Sequence, residues 1–133
     1  MLKYLTAYLA TAAAFLIADL VWLSRTVGLY RRAIGEMMLE TPNWKAAVSF
    51  YLLYIVGIVF FVVAPPHPAE SWTSVLFSGA LLGLVAFATY DMTNLSTLKR
   101  WSFRMSIIDM AWGTFVTAIS GLSGFLALQF AGL

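Results

Sequence analysis

Four long apolar stretches dominate the sequence, and short polar segments separate them. The stretches cover residues 4–24, 46–64, 71–90 and 105–130, and each is close to the roughly 20 residues that a helix needs to cross a bilayer. A lipid-exposed segment must satisfy its own backbone hydrogen bonds, and none of these stretches shows the roughly ten-residue alternation of barrel strands. The pattern therefore predicts an all-α, integral membrane four-helix bundle that forms a single domain over residues 1–133.

Composition supports this prediction and removes several classes of function. The 133 residues are 62% hydrophobic and 11% charged, whereas a soluble domain carries roughly 25% charged residues. The chain contains no cysteine and one histidine, His67, which stands among prolines in the second loop. Thiolate sites are therefore excluded, and no metal or cofactor is predicted. The net charge of +2 gives no soluble basic face, so no nucleic-acid partner is expected.

Basic residues predict the orientation in the membrane. Seven of the eight Lys and Arg residues lie in the first and third loops, and Lys3 alone lies on the opposite side. By the positive-inside rule, these two loops are cytoplasmic and both termini are outside. The seven residues are Arg25, Arg31, Arg32, Lys45, Lys99, Arg100 and Arg104.

The first loop is itself amphipathic. From Val27 to Met38, apolar side chains such as Tyr30 and Ile34 share one helical face, and Arg31 and Arg32 share the other. This pattern is typical of a short helix that lies in the membrane interface.

Three aspartates lie in or beside the apolar stretches. Asp19 precedes Arg25 by six residues and Asp109 follows Arg104 by five, which places both roughly 7 to 9 Å inside the cytoplasmic boundary. Asp91 lies at that boundary. The three acids therefore fall in one leaflet, and a four-helix bundle can bring them together along its axis.

Helical spacing predicts which faces meet. On the third stretch Gly79, Gly83, Phe87 and Asp91 form one row. A second face comprises Tyr8, Thr11, Phe15, Asp19 and Trp22, and a third comprises Ser106, Asp109, Gly113, Thr117, Ser120 and Gly124. We expect these faces to enclose a polar pocket that opens to the cytoplasm and is floored by the apolar outer half of the bundle. The candidate ligand-binding residues are Asp19, Trp22, Asp91, Asn94, Asp109 and Trp112.

A purely structural role for these residues is the alternative. Basic side chains that extend inward from the loops are able to pair with the acids and fix the bundle's register. The candidate charge partners are Arg25, Lys99, Arg100 and Arg104. Asn94 and Asp91 are equally suited to a helix C-terminal turn, in which Thr93 and Ser96 satisfy backbone groups. Trp22 and Trp112 also fit a packing or interfacial role.

Two segments carry a family resemblance. They are Tyr90-Asp-Met-Thr-Asn-Leu-Ser-Thr-Leu-Lys99 and Asp109-Met-Ala-Trp-Gly-Thr114. With them, and with Asp19-Leu-Val-Trp22 and Tyr30-Arg-Arg32, the chain resembles a family of small bacterial four-helix integral membrane proteins catalogued as a domain of unknown function. The resemblance implies a multi-pass protein of the cell inner membrane and draws attention to Asp19, Asp91, Asn94, Lys99, Asp109 and Trp112. It implies no reaction, substrate or cofactor.

Three classes of function fit these features. The first is a proton-titratable pocket that binds a small cationic, polar or amphiphilic ligand for transport or sensing. The second is a membrane-embedded acid–base enzyme that acts on a lipid or an isoprenoid. The third is an accessory subunit of a larger membrane complex, for which small-residue stripes provide packing surfaces. A homodimer is compatible with the first class.

Overall fold

Four helices make up the fold, in a computed structural model that describes residues 1–65 and 71–133. They are α1 (Leu2–Ile34), α2 (Trp44–Ile58), α3 (Trp72–Thr97) and α4 (Phe103–Ala131). All four are long and apolar enough to cross a membrane, with α2 counted together with the turn that follows it. The two described ranges contain no strand, so the predicted all-α four-helix membrane fold is confirmed. The expected surface position of His67 lies outside the described residues.

Side-chain caps set the starts of three helices. Asn43 accepts a hydrogen bond from the Ala46 amide at the start of α2, and Ser102 accepts one from the Met105 amide at the start of α4. Ser71 and Ser74 form a reciprocal capping box at the start of α3. These polar side chains satisfy amide groups that have no partner inside the helix. The helix starts therefore follow from local sequence.

Helix α1 is longer than the sequence predicts. It continues without a break to Ile34, and a short 3₁₀ turn, Gly35–Met37, follows it. The structure therefore corrects the prediction of a separate interfacial helix over Val27–Met38. The physical reason is that no proline interrupts this segment, and one glycine, Gly28, costs only about 1 kcal/mol.

Helix α4 is the centre of the bundle, and small residues allow its neighbours to approach. A Cβ atom on Gly79 of α3 would lie 2.9 Å from the Cα of Ala118, and one on Gly83 would lie 2.8 Å from the Cβ of Thr117. Gly124 packs in the same way against Thr11 of α1. The predicted small-residue faces of α1, α3 and α4 do meet.

Helix α2 contacts the bundle mainly through its last turns. The helix continues into a π-helical turn, Val59–Val63, in which the Ala64 amide donates to the Val59 carbonyl over 2.8 Å. This turn packs against α1, α3 and α4, and Val62 and Val63 are buried there. At this end of the bundle the core is tightly packed and mostly apolar, although it includes the buried hydroxyl groups of Thr11 and Ser120.

The opposite end of the bundle carries the basic residues. The C-terminal parts of α1 and α3 and the N-terminal parts of α2 and α4 lie at this end, which we call the basic end. Arg25, Lys45, Lys99 and Arg104 mark it. Helix α2 has fewer close backbone neighbours here, and this leaves room for a cavity between the helices.

Candidate ligand cavity

A cavity of about 500 Å³ lies between the four helices towards the basic end. Eight of its twelve lining residues are aromatic, and two are aspartates, Asp19 and Asp109. Helix α1 supplies Asp19 and α4 supplies Asp109, while α2 and α3 contribute aromatic rings such as Tyr51 and Phe87. A pocket was predicted at this position, but its wall is more aromatic than expected. Large rings fill the face of α2, which the sequence did not assign to the site.

Asp19 is held by two hydrogen-bond donors from other helices. The Tyr51 hydroxyl of α2 donates to Oδ2 over 2.5 Å, and Nε1 of Trp112 in α4 donates to Oδ1 over 3.1 Å. The side chain is only 8% exposed. Two neutral donors therefore satisfy both oxygens and fix the carboxyl group at the cavity wall.

Asp109 is linked to Asp19 through aromatic side chains. The Tyr30 hydroxyl donates to Oδ1 of Asp109 over 2.7 Å and accepts a 3.3 Å hydrogen bond from Nε1 of Trp22. The Trp22 ring stacks on Trp112, with ring centroids 4.5 Å apart and an interplanar angle of 4°. Because Trp112 binds Asp19, one connected network orients both carboxyl groups.

Asp91 lies behind the cavity wall. It is 2% exposed, and its Oδ2 has no hydrogen-bond partner among the described residues. The packing of Gly83 on Thr117 and of Phe87 on Gly113 sets the register of α3 against α4. One turn further, the same register brings Asp91 opposite Asp109, so that the two carboxyl groups are neighbours. Three acids thus converge, of which two line the cavity.

Asn94 does not line the cavity. Its backbone carbonyl accepts a 2.9 Å hydrogen bond from the Leu98 amide at the end of α3. The Thr93 hydroxyl donates to backbone carbonyls of the preceding turn, and the Ser96 hydroxyl donates to the Thr93 carbonyl. These contacts match the C-terminal turn that the sequence left as the alternative for Asn94.

The predicted charge partners do not reach the acids. Arg100 forms a 2.8 Å ion pair with Glu36 of the turn after α1, and both side chains are exposed. Within residues 1–65 and 71–133, no ion pair joins Asp19, Asp91 or Asp109 to a basic side chain. The structure therefore does not show the alternative pairing with Arg25, Lys99, Arg100 and Arg104. Tyrosine and tryptophan donors bind Asp19 and Asp109 instead. No cluster in the same ranges brings together three residues of the types His, Cys, Asp and Glu to hold a metal ion.

Sequence reasoning missed the two tyrosines that bind the acids. Tyr51 was overlooked because α2 carries no charge to draw attention to it, although Tyr51 and Tyr54 stand one turn apart in an otherwise apolar stretch. Tyr30 was assigned to an interfacial helix. The available signal was a tyrosine hydroxyl inside a membrane span, because such a group needs a hydrogen-bond partner within the protein.

Comparison with known proteins agrees with the architecture. No curated protein and no solved structure matches the chain. Residues 4–126 match a family described as "Predicted membrane protein (DUF2177)". The match covers nearly the whole chain and includes every residue that lines the cavity. The chain therefore belongs to this family of predicted membrane proteins of unknown function, as its resemblance to such a family implied.

Proposed function

We propose that this protein binds an organic cation in the cavity, with Asp19 and Asp109 as counter-charges. The observation that carries the proposal is the composition of the cavity wall, where aromatic rings and two carboxylates line the space and none of the described lining residues is Lys or Arg. Aromatic faces attract ammonium groups, and aromatic cages are a common way to bind quaternary ammonium ligands.

The electrostatics of the bundle favour this occupant over an anion or a neutral polar molecule. Asp19 and Asp91 are buried, and no basic side chain in the described ranges pairs with them or with Asp109. Uncompensated carboxylates in a low-dielectric site are unfavourable, and neighbouring carboxylates repel one another. A bound cation relieves both effects, and so does a proton shared between Asp91 and Asp109.

Exchange between a cation and a proton follows from this arrangement. The ligand and the proton compete for the same negative charge, so occupancy by one releases the other. We place the site in the cytoplasmic leaflet of the inner membrane, because the basic residues cluster at the cavity's end of the bundle. The exchange then serves transport or sensing of the cation.

The test is a titration of the purified protein with tetramethylammonium, followed by intrinsic tryptophan fluorescence and by calorimetry. Trp22 and Trp112 line the cavity and report on its occupancy. We expect saturable binding that Asp19→Asn weakens at least about tenfold, since the variant keeps the side-chain shape and removes the charge. Glu40→Gln is the matched control, because it removes an exposed carboxylate outside the cavity. Equal binding by both variants would refute the proposal.

A membrane-embedded acid–base enzyme is the second candidate. The pairing of Asp91 with Asp109, next to an aromatic cavity, favours it, because two carboxyl groups that share a proton are suited to general acid–base chemistry. Incubation of the protein with inner-membrane lipids, followed by mass spectrometry, separates the two candidates. An enzyme changes the lipid profile and Asp91→Asn abolishes the change, whereas a binding protein returns its ligand unaltered.

A further inference from the structure

The boundary between α2 and α3 differs from the other boundaries around the cavity. Close backbone approach between these helices is concentrated in the Val59–Val63 turn, at the end remote from the basic residues. Nearer the basic end, no hydrogen bond in the described ranges joins α2 to α3, although the rings of Tyr54 and Phe87 form an edge contact across the boundary with their centroids 6.3 Å apart. We call the stretch of this boundary between Phe50 and Tyr90 the α2–α3 seam.

The boundary between α1 and α2, by contrast, is bridged. The Tyr51 hydroxyl donates to Asp19, and the Tyr8 hydroxyl donates to the Leu52 carbonyl over 3.2 Å. Helix α4 packs closely against both α1 and α3. The seam is therefore the side of the cavity with the least protein across it.

The seam lies at the depth of lipid chains. Phe50 is six residues into the apolar span Trp44–Val63, and Tyr90 is seven residues from the end of α3, so both lie roughly 9 to 10 Å inside their helix ends. Both rings line the cavity and are about half exposed, at 51% and 54%. At this depth, the part of each ring that faces neither the cavity nor another helix is in contact with hydrocarbon.

We propose that the ligand is an amphiphile, with a cationic head at Asp19 and Asp109 and an alkyl chain that leaves through the α2–α3 seam into the bilayer. This inference rests on the proposed function and narrows its substrate class. The carboxylates lie on α1 and α4, across the cavity from the seam. A molecule that enters sideways from the leaflet therefore presents its charge to the acids while its chain remains among lipids.

The experiment closes the seam with a reversible bridge. The chain has no native cysteine, so Phe50→Cys and Tyr90→Cys together provide two unique attachment points for a bifunctional thiol reagent that a reductant cleaves. Dodecyltrimethylammonium and tetramethylammonium are titrated in dodecyl maltoside micelles, before bridging, after bridging and after reduction. Mass spectrometry verifies the bridge, and the same variant treated with a monofunctional maleimide controls for modification alone.

We expect the bridge to weaken binding of dodecyltrimethylammonium at least about tenfold more than it weakens binding of tetramethylammonium, both measured on the same double variant, and reductant should remove the difference. Unchanged binding of the long-chain cation to bridged protein would overturn the proposal. Equal weakening of both ligands would also overturn it, because closure of a seam that serves only the chain affects the long-chain cation more than the short one. Failure of wild-type protein to bind either cation would instead refute the proposed function itself.

Discussion

Trp22 and Trp112 stack with their ring centroids 4.5 Å apart and their planes within 4° of parallel. Each indole also donates a hydrogen bond, from Trp22 to the Tyr30 hydroxyl and from Trp112 to Asp19. The stacked pair therefore joins α1 to α4, binds Asp19 through Trp112 and orients Tyr30, the donor to Asp109. Packing and site geometry depend here on the same two side chains.

Replacement of Trp112 by phenylalanine should destabilise the protein by about 2 kcal/mol. The variant removes the hydrogen bond to the Asp19 carboxylate and replaces the stacked indole by a smaller ring. Unfolding in mixed micelles of increasing dodecyl sulfate content measures the difference. Trp72→Phe is the control, because Trp72 is exposed at the first turn of α3; equal losses in both variants would contradict the structure.

Removal of the Tyr51 hydroxyl should weaken cation binding several-fold near neutral pH. The hydroxyl donates to Oδ2 of Asp19, so Tyr51→Phe removes one of the two donors that hold this carboxyl group at the cavity wall. Tyr8→Phe also removes one hydroxyl, but that group donates to a backbone carbonyl and should have no effect on affinity. Titration with tetramethylammonium distinguishes the two variants, and identical affinities would argue against a role for Tyr51.

A methyl group at Gly79 should force α3 away from α4. Its Cβ would lie 2.9 Å from the Ala118 backbone, which cannot move aside as a flexible side chain does. We expect Gly79→Ala to lower the free energy of unfolding by about 1 to 3 kcal/mol. Gly57→Ala has open space around its new Cβ and should be neutral or slightly stabilising. Stability of Gly79→Ala equal to wild type would show that the helices pack otherwise.

Cation affinity should decrease as the pH is lowered from neutral to mildly acidic values. Protons and the cation compete for the carboxylates, so the loss is limited to about tenfold per pH unit for each proton exchanged. Tetramethylammonium titrations across this range measure the slope, and Asp91→Asn should flatten it, because the variant removes one of two adjacent carboxyl groups. A pH-independent affinity in the wild type would exclude proton exchange.

The sequence was sufficient to predict the helices and the faces that meet, for physical reasons. A membrane span must be helical, and small residues at helical spacing mark close contacts, as Gly79, Gly83 and Gly124 do. The cavity wall was harder to predict. Tyr51 and Phe50 lie in an apolar stretch, and the neighbouring residues do not show that α2 turns these two rings towards Asp19.

The alternative in which basic side chains pair with the acids came from matching charges by sign, and the structure shows no such pair among the described residues. Arg100 lies near the expected boundary, but the structure directs it to Glu36, where both groups stay exposed. Burial of an arginine beside Asp109 would require its desolvation, whereas Tyr30 reaches the carboxylate with an apolar ring and one hydroxyl. Such pairings depend on how helices that are distant in sequence are aligned against one another. The spacing of residues within one helix does not show this alignment.

Native mass spectrometry of the gently extracted protein, wild type beside Asp109→Asn, tests the central claim most directly. We expect a small cationic adduct on the wild type, identified by its mass, and its loss from the variant. A wild-type protein without any small-molecule adduct, but with a stoichiometric partner protein retained in both samples, would contradict the claim. That result would assign the chain to a larger membrane complex and leave its aspartates a structural role.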